Sequence, residues 1–413
     1  MNFLSQIIIQ FLILIFISLI ITPVQAQEVH TQEVGSQSDT IIPKKKNVDL
    51  VGVPAFGYSP ETKFSIGAAV VYSYFLAPPT PICRKSSIQL KAVYSTAKQL
   101  EIKTNWNLFT SQNLYFFRGQ SYYLKNTSRN YGIGNDGLAR VLEQNEDTIT
   151  NQYNFANFKA EQLYFSLTAA RMVIKHLYLG IDYEVESVYN TAYTAENTVF
   201  LTPNRFNNVI RGIRSGLGFN ITYDNRDNVN APHNGIFATF SNRNYGKAIG
   251  SDFKYTLLST DFRYYKSTWK NQVIAVNLRS ENRFIQNTDD LPIFALARFG
   301  GKDFIKGYFQ GTYQDKHLLG FQLEYRALLF KTPWVPYLKA IEIVGMFNGG
   351  QVYNDIADFS INQFRTSAGF GFRAVLDEEQ RISTGVDFAW GLHPNSSLDG
   401  GQFGMYISLG ETF

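Results

Sequence analysis

Phe403-Gly404-Met405-Tyr406-Ile407-Ser408-Leu409-Gly410 sets Phe403, Met405, Ile407 and Leu409 on one face and Gly404, Tyr406, Ser408 and Gly410 on the other, then runs on to Phe413. The period is two, which is a strand and not a helix. Residues 319–329 repeat it: Leu319, Phe321, Leu323, Tyr325, Ala327 and Leu329 alternate with a set that includes Gln322, Glu324 and Arg326. A charged pair facing inward with an apolar face outward is the reverse of a soluble sandwich, and it is the pattern of a strand that crosses a membrane in a barrel.

Working outward, the same texture recurs in sixteen runs: 48–58, 63–75, 86–96, 99–110, 113–124, 154–169, 174–186, 211–224, 235–246, 251–266, 271–283, 318–330, 339–348, 364–375, 380–390 and 403–413. Bacterial barrels carry an even number of antiparallel strands, with short periplasmic turns and longer external loops. With the first run rising from the periplasm, the long stretches 125–153, 187–210, 284–317, 349–363 and 391–402 all fall outside. The gaps at 111–112, 170–173, 267–270 and 376–379 all fall inside. In a bilayer an unpaired backbone N–H or C=O costs several kcal/mol, so the sheet is expected to close.

Composition agrees. Thirty-four Phe and 25 Tyr against 4 Met suit strands and membrane interfaces. A mean hydropathy of -0.16 excludes a helical membrane bundle. Tyr115-Phe116-Phe117, Tyr122-Tyr123 and Tyr264-Tyr265 are candidates for interfacial girdles.

Ile7 to Ile21 is an apolar run followed by Thr22-Pro23 and the small-residue site Val24-Gln25-Ala26. The run is shorter than the ~20 residues that span a bilayer, and residues 1–26 read as a signal peptide. Residues 27–47 are polar and read as a flexible leader, leaving 48–413 as the barrel. The expected location is the outer membrane, with its lipid as the barrel's surroundings. Cys83 is the single cysteine, so no disulfide framework exists. The formal charge of +4 is spread among interleaved cations and anions apart from Lys44-Lys45-Lys46, and gives no nucleic-acid signal.

No enzyme or cofactor reading gathers support. His30, His176, His233, His317 and His393 are scattered without metal-ligand spacing. Ser215 in GIRSG lacks the G-x-S-x-G of a nucleophile elbow. Asp377, Glu378 and Glu379 read as a solvated turn sooner than a cation site. The glycines before Lys306 lack the GxxxxGK[ST] order of a phosphate-cradling loop.

Three stretches resemble the BamA/TamA-like bacterial surface antigen superfamily, over roughly residues 48–413. YDNRDN at 223–228, with Asp224, Arg226 and Asp227 followed by Pro232 and Gly235, is similar to that family's Asp-x-Arg-Asp periplasmic turn. FGGKDFIKGYFQG at 299–311, with Gly300, Gly301, Lys306, Gly307 and Tyr308, resembles its Gly-Gly and Arg-Gly-Phe/Tyr motif on the sixth external loop. The strand count places 299–311 on that loop independently.

The resemblance implies that the sixth loop folds into the lumen and that its basic residue pairs with acids on the next two strands. The candidate partners are Glu324, beside Arg326 in FQLEYR, and Asn348 in GMFNGGQVY, where the family usually carries Asp. Lys306 in place of Arg loses the bidentate fork and Asn348 carries no charge, so a looser lock is expected, with Lys306→Ala more damaging than Glu324→Gln. Phe413 resembles a C-terminal recognition signal.

The function implied is insertion or export of other polypeptides through a labile seam between the first and last strands, where Gly52, Pro54 and Gly57 weaken the ladder. The leader is too short for a POTRA domain, so unfolded barrel clients would come from a periplasmic or lipoprotein delivery partner. The alternative is a passive channel or structural surface antigen that meets its environment through the loops at 125–153 and 284–317.

Overall fold

The computed structural model describes residues 48–59, 62–76, 83–130, 132–135, 156–193, 210–269, 271–287, 290–335, 338–378, 381–392 and 403–409. The signal-peptide, leader and Phe413 readings lie outside the described residues.

Each of the sixteen runs is a strand of one antiparallel sheet in chain order. They are β1 (Val48–Ser59), β2 (Lys63–Tyr74), β3 (Ser86–Ser95), β4 (Leu100–Phe109), β5 (Tyr115–Asn130), β6 (Ala156–Ile174), β7 (Leu177–Tyr193), β8 (Gly212–Asp224), β9 (Gly235–Tyr245), β10 (Tyr255–Ser267) and β11 (Gln272–Phe284). After a separate short hairpin, β12 (Ala297–Phe299) and β13 (Tyr313–Asp315), come β14 (His317–Lys331), β15 (Ala340–Tyr353), β16 (Arg365–Asp377), β17 (Ile382–Gly391) and β18 (Phe403–Leu409). β11 pairs directly with β14, so β12 and β13 stand outside the wall. β1 and β18 come within 8 Å of each other, Cα to Cα, but no ladder joins them among the described residues.

Alternation sets what faces where. On β14, Leu323 and Tyr325 are exposed while Gln322, Glu324 and Arg326 are buried. Ile66, Ile181, Phe219, Leu278, Phe347 and Phe372 are likewise exposed on other strands. This apolar outer belt around a polar interior is the transmembrane barrel arrangement.

Two features depart from the sequence reading. β5, β6 and β7 run past their expected ends, and β5 stays paired with β6 as far as Asn130 through the polar stretch Lys125-Asn126-Thr127-Ser128-Arg129-Asn130. Beyond the bilayer both faces can be polar, so the apolar signal fades while the ladder still satisfies backbone N–H and C=O groups. The β12–β13 hairpin, with three residues in each strand, is too short to leave a periodic trace.

Candidate functional site

The β11–β14 connection is the sixth long-end loop, and its tip is folded by its own backbone. Gly300 N–H donates to the Phe304 carbonyl at 3.1 Å and Gly301 N–H to that of Tyr308 at 2.8 Å. Phe299 stacks on Tyr313 with ring centroids 4.7 Å apart, and Tyr308 meets Tyr313 edge-on at 5.3 Å. With Phe304, Ile305, Leu318 and Val352 these rings form a small buried core against β14 and β15. Gly320 and Gly350 make room for it, because a Cβ there would come within 2.8 Å of Phe304 and 2.3 Å of Ile305.

Beyond this core the tip reaches β16, β17 and β18. The Tyr308 hydroxyl donates to the Thr366 carbonyl at 2.6 Å. Tyr406, inward on β18, accepts from Gly307 N–H and donates to the Tyr308 carbonyl, both at 3.2 Å. Gly307 has φ +104°, and a Cβ on it would lie 2.8 Å from the Trp390 carbonyl carbon, so conformation and space both demand glycine.

Lys306 Nζ donates to Asp387 Oδ2, and Arg373 Nη1 and Nη2 donate to Asp387 Oδ1 and Oδ2 at 2.6 and 3.3 Å. The three side chains are 2 % or less exposed. Gly371 and Gly385 hold the space for this trio, since a Cβ at Gly371 would lie 2.0 Å from Asp387 Oδ1 and one at Gly385 2.7 Å from Arg373 Cδ.

The expected partners of Lys306 are therefore corrected. Glu324 is held by Arg326, two residues along the same face of β14, at 2.9 Å from Nε and 2.7 Å from Nη2. Asn348 donates to Ser367 Oγ at 3.2 Å across the β15–β16 pair. The loop passes both and reaches a carboxylate on β17, a strand further around the wall. Its sequence signal was present: in Gly385-Val386-Asp387-Phe388-Ala389, Asp387 is a lone acid among small inward residues.

A second cation of the same loop reaches β3 and β4. Lys302 Nζ donates to Glu101 Oε2 on β4 at 3.3 Å, and Lys91 of β3 meets Glu101 Oε1 at 2.8 Å. These side chains keep 23–44 % exposure. Burial works against the Lys302 charge, but Asp303 and Glu101 hold it above the usual lysine range. The tip thus joins β17 to β4, on the two sides of the β1–β18 junction.

The Asp-x-Arg-Asp stretch closes the short-turn end. Arg226 forks onto Asp224 at 3.0 and 2.9 Å, and Arg84 from the β2–β3 connection adds a contact to Asp224 at 2.8 Å. The Arg226, Arg118 and Arg263 guanidiniums lie 4.5, 4.6 and 5.2 Å from the Phe237 ring centroid. Asp227 accepts from His233 and Asn234 N–H at 3.0 and 3.2 Å, around Pro232, and binds Arg381 of the β16–β17 turn at 2.9 Å. Burial would raise the Asp227 pKa, but Arg381 and those two N–H groups hold it below the usual carboxylate range. Gly235, at φ +116°, lies against the Arg226 backbone where a Cβ would clash at 2.7 Å.

Sequence reasoning also missed the ionic wall of β7–β9. Arg214 joins Glu184 at 2.7 Å and Glu186 at 2.5 Å, Arg243 binds Glu184, and Tyr164 and Tyr245 donate to Glu184 at 2.9 and 2.8 Å. Ser215, set aside as a nucleophile, lies on the opposite, outward face of β8, the face of Leu217 and Phe219, and bonds the Tyr183 hydroxyl at 3.3 Å. Glu378 meets Lys331 at 3.0 Å.

Comparison with known proteins agrees with this fold. No curated protein matches the chain. Among solved structures, BamA from Haemophilus ducreyi lacking POTRA domains 1–3 is similar at 15% identity and TM-score 0.51, over 88% of this chain and 70% of that one. CdiB from Acinetobacter baumannii is similar at 12% identity and TM-score 0.51, over 88% of this chain and 60% of its own. CdiB from Escherichia coli is similar at 9% identity and TM-score 0.54, over 89% and 63%. The chain thus spans roughly two thirds of their lengths, and identities this low speak to fold alone. The Omp85 superfamily domain matches residues 85–413, a span that contains the turn, the folded-in loop and Asp387, and the chain belongs to that superfamily of outer-membrane barrels.

Proposed function

We propose that this barrel inserts or exports other polypeptides across the outer membrane, and that a client strand adds to an edge exposed between β1 and β18. The observation that carries this reading is the seam. β5 is paired with β6 along its whole length and β1 with β2 from Val48 to Ser59, whereas β1 and β18 lie side by side without a ladder among the described residues. β18 contributes seven described residues, and β1 carries Pro54, which removes a donor. Two unpaired edges in a membrane are costly, and an incoming strand would satisfy them by β-augmentation. Clients would be unfolded barrel chains, brought by a periplasmic or lipoprotein partner.

The passive-channel reading has less support, because the lumen is crossed by the sixth loop. The test is reconstitution of residues 27–413 in liposomes, followed by the insertion rate of an unfolded model barrel relative to empty liposomes. Acceleration that is lost when a cysteine pair on β1 and β18 is oxidised, in a Cys83→Ser background, and regained on reduction is the expected result. A folded barrel that gives no acceleration defeats the assembly reading and favours a channel or surface role.

A further inference from the structure

The β15–β16 connection, residues 354–364, presents apolar side chains at the long-loop end. Ile361 is 77 % exposed, Ile356 57 % and Phe359 41 %. Two 3-10 turns, Ile356–Asp358 and Ile361–Gln363, shape the segment. Asp355 and Asp358 cap the first reciprocally, with Asp355 N–H donating to Asp358 at 3.1 Å and Ala357 N–H to Asp355 at 3.3 Å. Its polar side is tied to its neighbours, where the Gln351 side-chain amide hydrogen-bonds the Ser360 backbone and Gln363 accepts from Asn135 at 3.3 Å.

The apolar side continues the lipid-facing wall. Phe321 and Phe347, on the outward faces of β14 and β15, have centroids 5.8 Å apart. Phe321 stacks on Phe364 at 6.1 Å, Phe364 meets Phe359 edge-on at 6.1 Å, and Phe359 meets Tyr353 at 5.8 Å. Tyr353 stacks on His317, which touches Phe284, both outward on their strands. An unbroken aromatic collar therefore runs from the belt into the connection.

We infer that residues 354–364 form an interfacial foot that seats Ile356, Phe359 and Ile361 in the headgroup and acyl boundary of the outer leaflet. The occupant is lipid because the surface is continuous with the lipid-facing belt and the rings sit as an interfacial girdle does. The capped acids keep the backbone polar groups on the watery side, as an interfacial segment requires. The foot would fix the depth of the β14–β16 sector of the wall.

The experiment places one environment-sensitive fluorophore on Cys83→Ser/Ile361→Cys in proteoliposomes with chain-brominated lipid, with Leu323→Cys as the lipid-facing reference. The expected result is a blue-shifted emission and quenching at least half that of the reference. Emission as in water without quenching overturns the proposal. A blue shift without quenching also overturns it and points to a protein cover. Ile356→Asp/Ile361→Asp is read separately, in unlabelled protein. The expected result is a several-fold rise in protease cleavage within 354–364 while the barrel stays folded, and unchanged cleavage overturns the proposal.

Discussion

The two ends of the sixth-loop tip use the same charges in opposite surroundings. On β17 the Asp387 carboxylate lies between Lys306 and Arg373, and on β4 the Glu101 carboxylate lies between Lys302 and Lys91. The first trio is sealed at 2 % exposure or less, and the second keeps 23–44 %. Equal charge counts therefore do not mean equal hold: where water is excluded, the loss of a partner is felt in full, and where water remains it screens the loss. The β17 end is expected to act as the lock, and the β4 end as a tether that tunes it.

The largest expected effect comes from Asp387→Asn, which leaves two buried cations facing each other. A loss of about 3–5 kcal/mol is expected, the usual cost of breaking a buried pair, read as a lower denaturation midpoint of the reconstituted barrel and new protease cleavage in the loop. A variant as stable as the parent would mean that the trio is not the lock. Lys306→Ala should cost less, about 1.5–3 kcal/mol as for one charged hydrogen bond, because Arg373 still neutralises Asp387.

Glu324→Gln no longer serves as the comparison that the sequence suggested. Its loss weakens the Glu324–Arg326 contact on β14 and should lower stability without freeing the loop, so loop proteolysis separates the two variants.

At the tether, Glu101→Gln should cost about 1 kcal/mol or less and lose its effect as salt rises. A loss as large as that of Asp387→Asn would erase the distinction between the two ends. The smallest effect belongs to the turn outside the lumen, at Asp227. Its folded pKa is depressed, so its contribution is present above the unfolded carboxylate pKa and fades as pH falls through the folded value. Stability of the parent should therefore decline in acid more steeply than that of Arg381→Ala, measured as denaturation midpoints from pH 7 downward. Parallel curves would remove the Arg381 contact as the cause.

Much of this was legible along the chain because alternation is local. Gln322, Glu324 and Arg326 point inward and Leu323 and Tyr325 outward for the same reason in sequence and in structure. The loop order placed Lys306 on the sixth connection. What could not be read is which carboxylate it meets. Glu324 looked nearest along the chain, but Arg326 on the same face of the same strand already satisfies it.

By itself the sequence determined the number of wall strands, the facing of residues along the alternating runs and the position of the long loops, since each follows from a period of two and from turn spacing within a few residues. The tertiary structure alone decided that Lys306 joins Asp387, 81 residues away, that Lys302 reaches β4, and that the first and last strands meet without a ladder among the described residues. Those contacts depend on how the sheet curls and how far a folded loop tip extends into the lumen, and neither quantity is carried by any short stretch of chain.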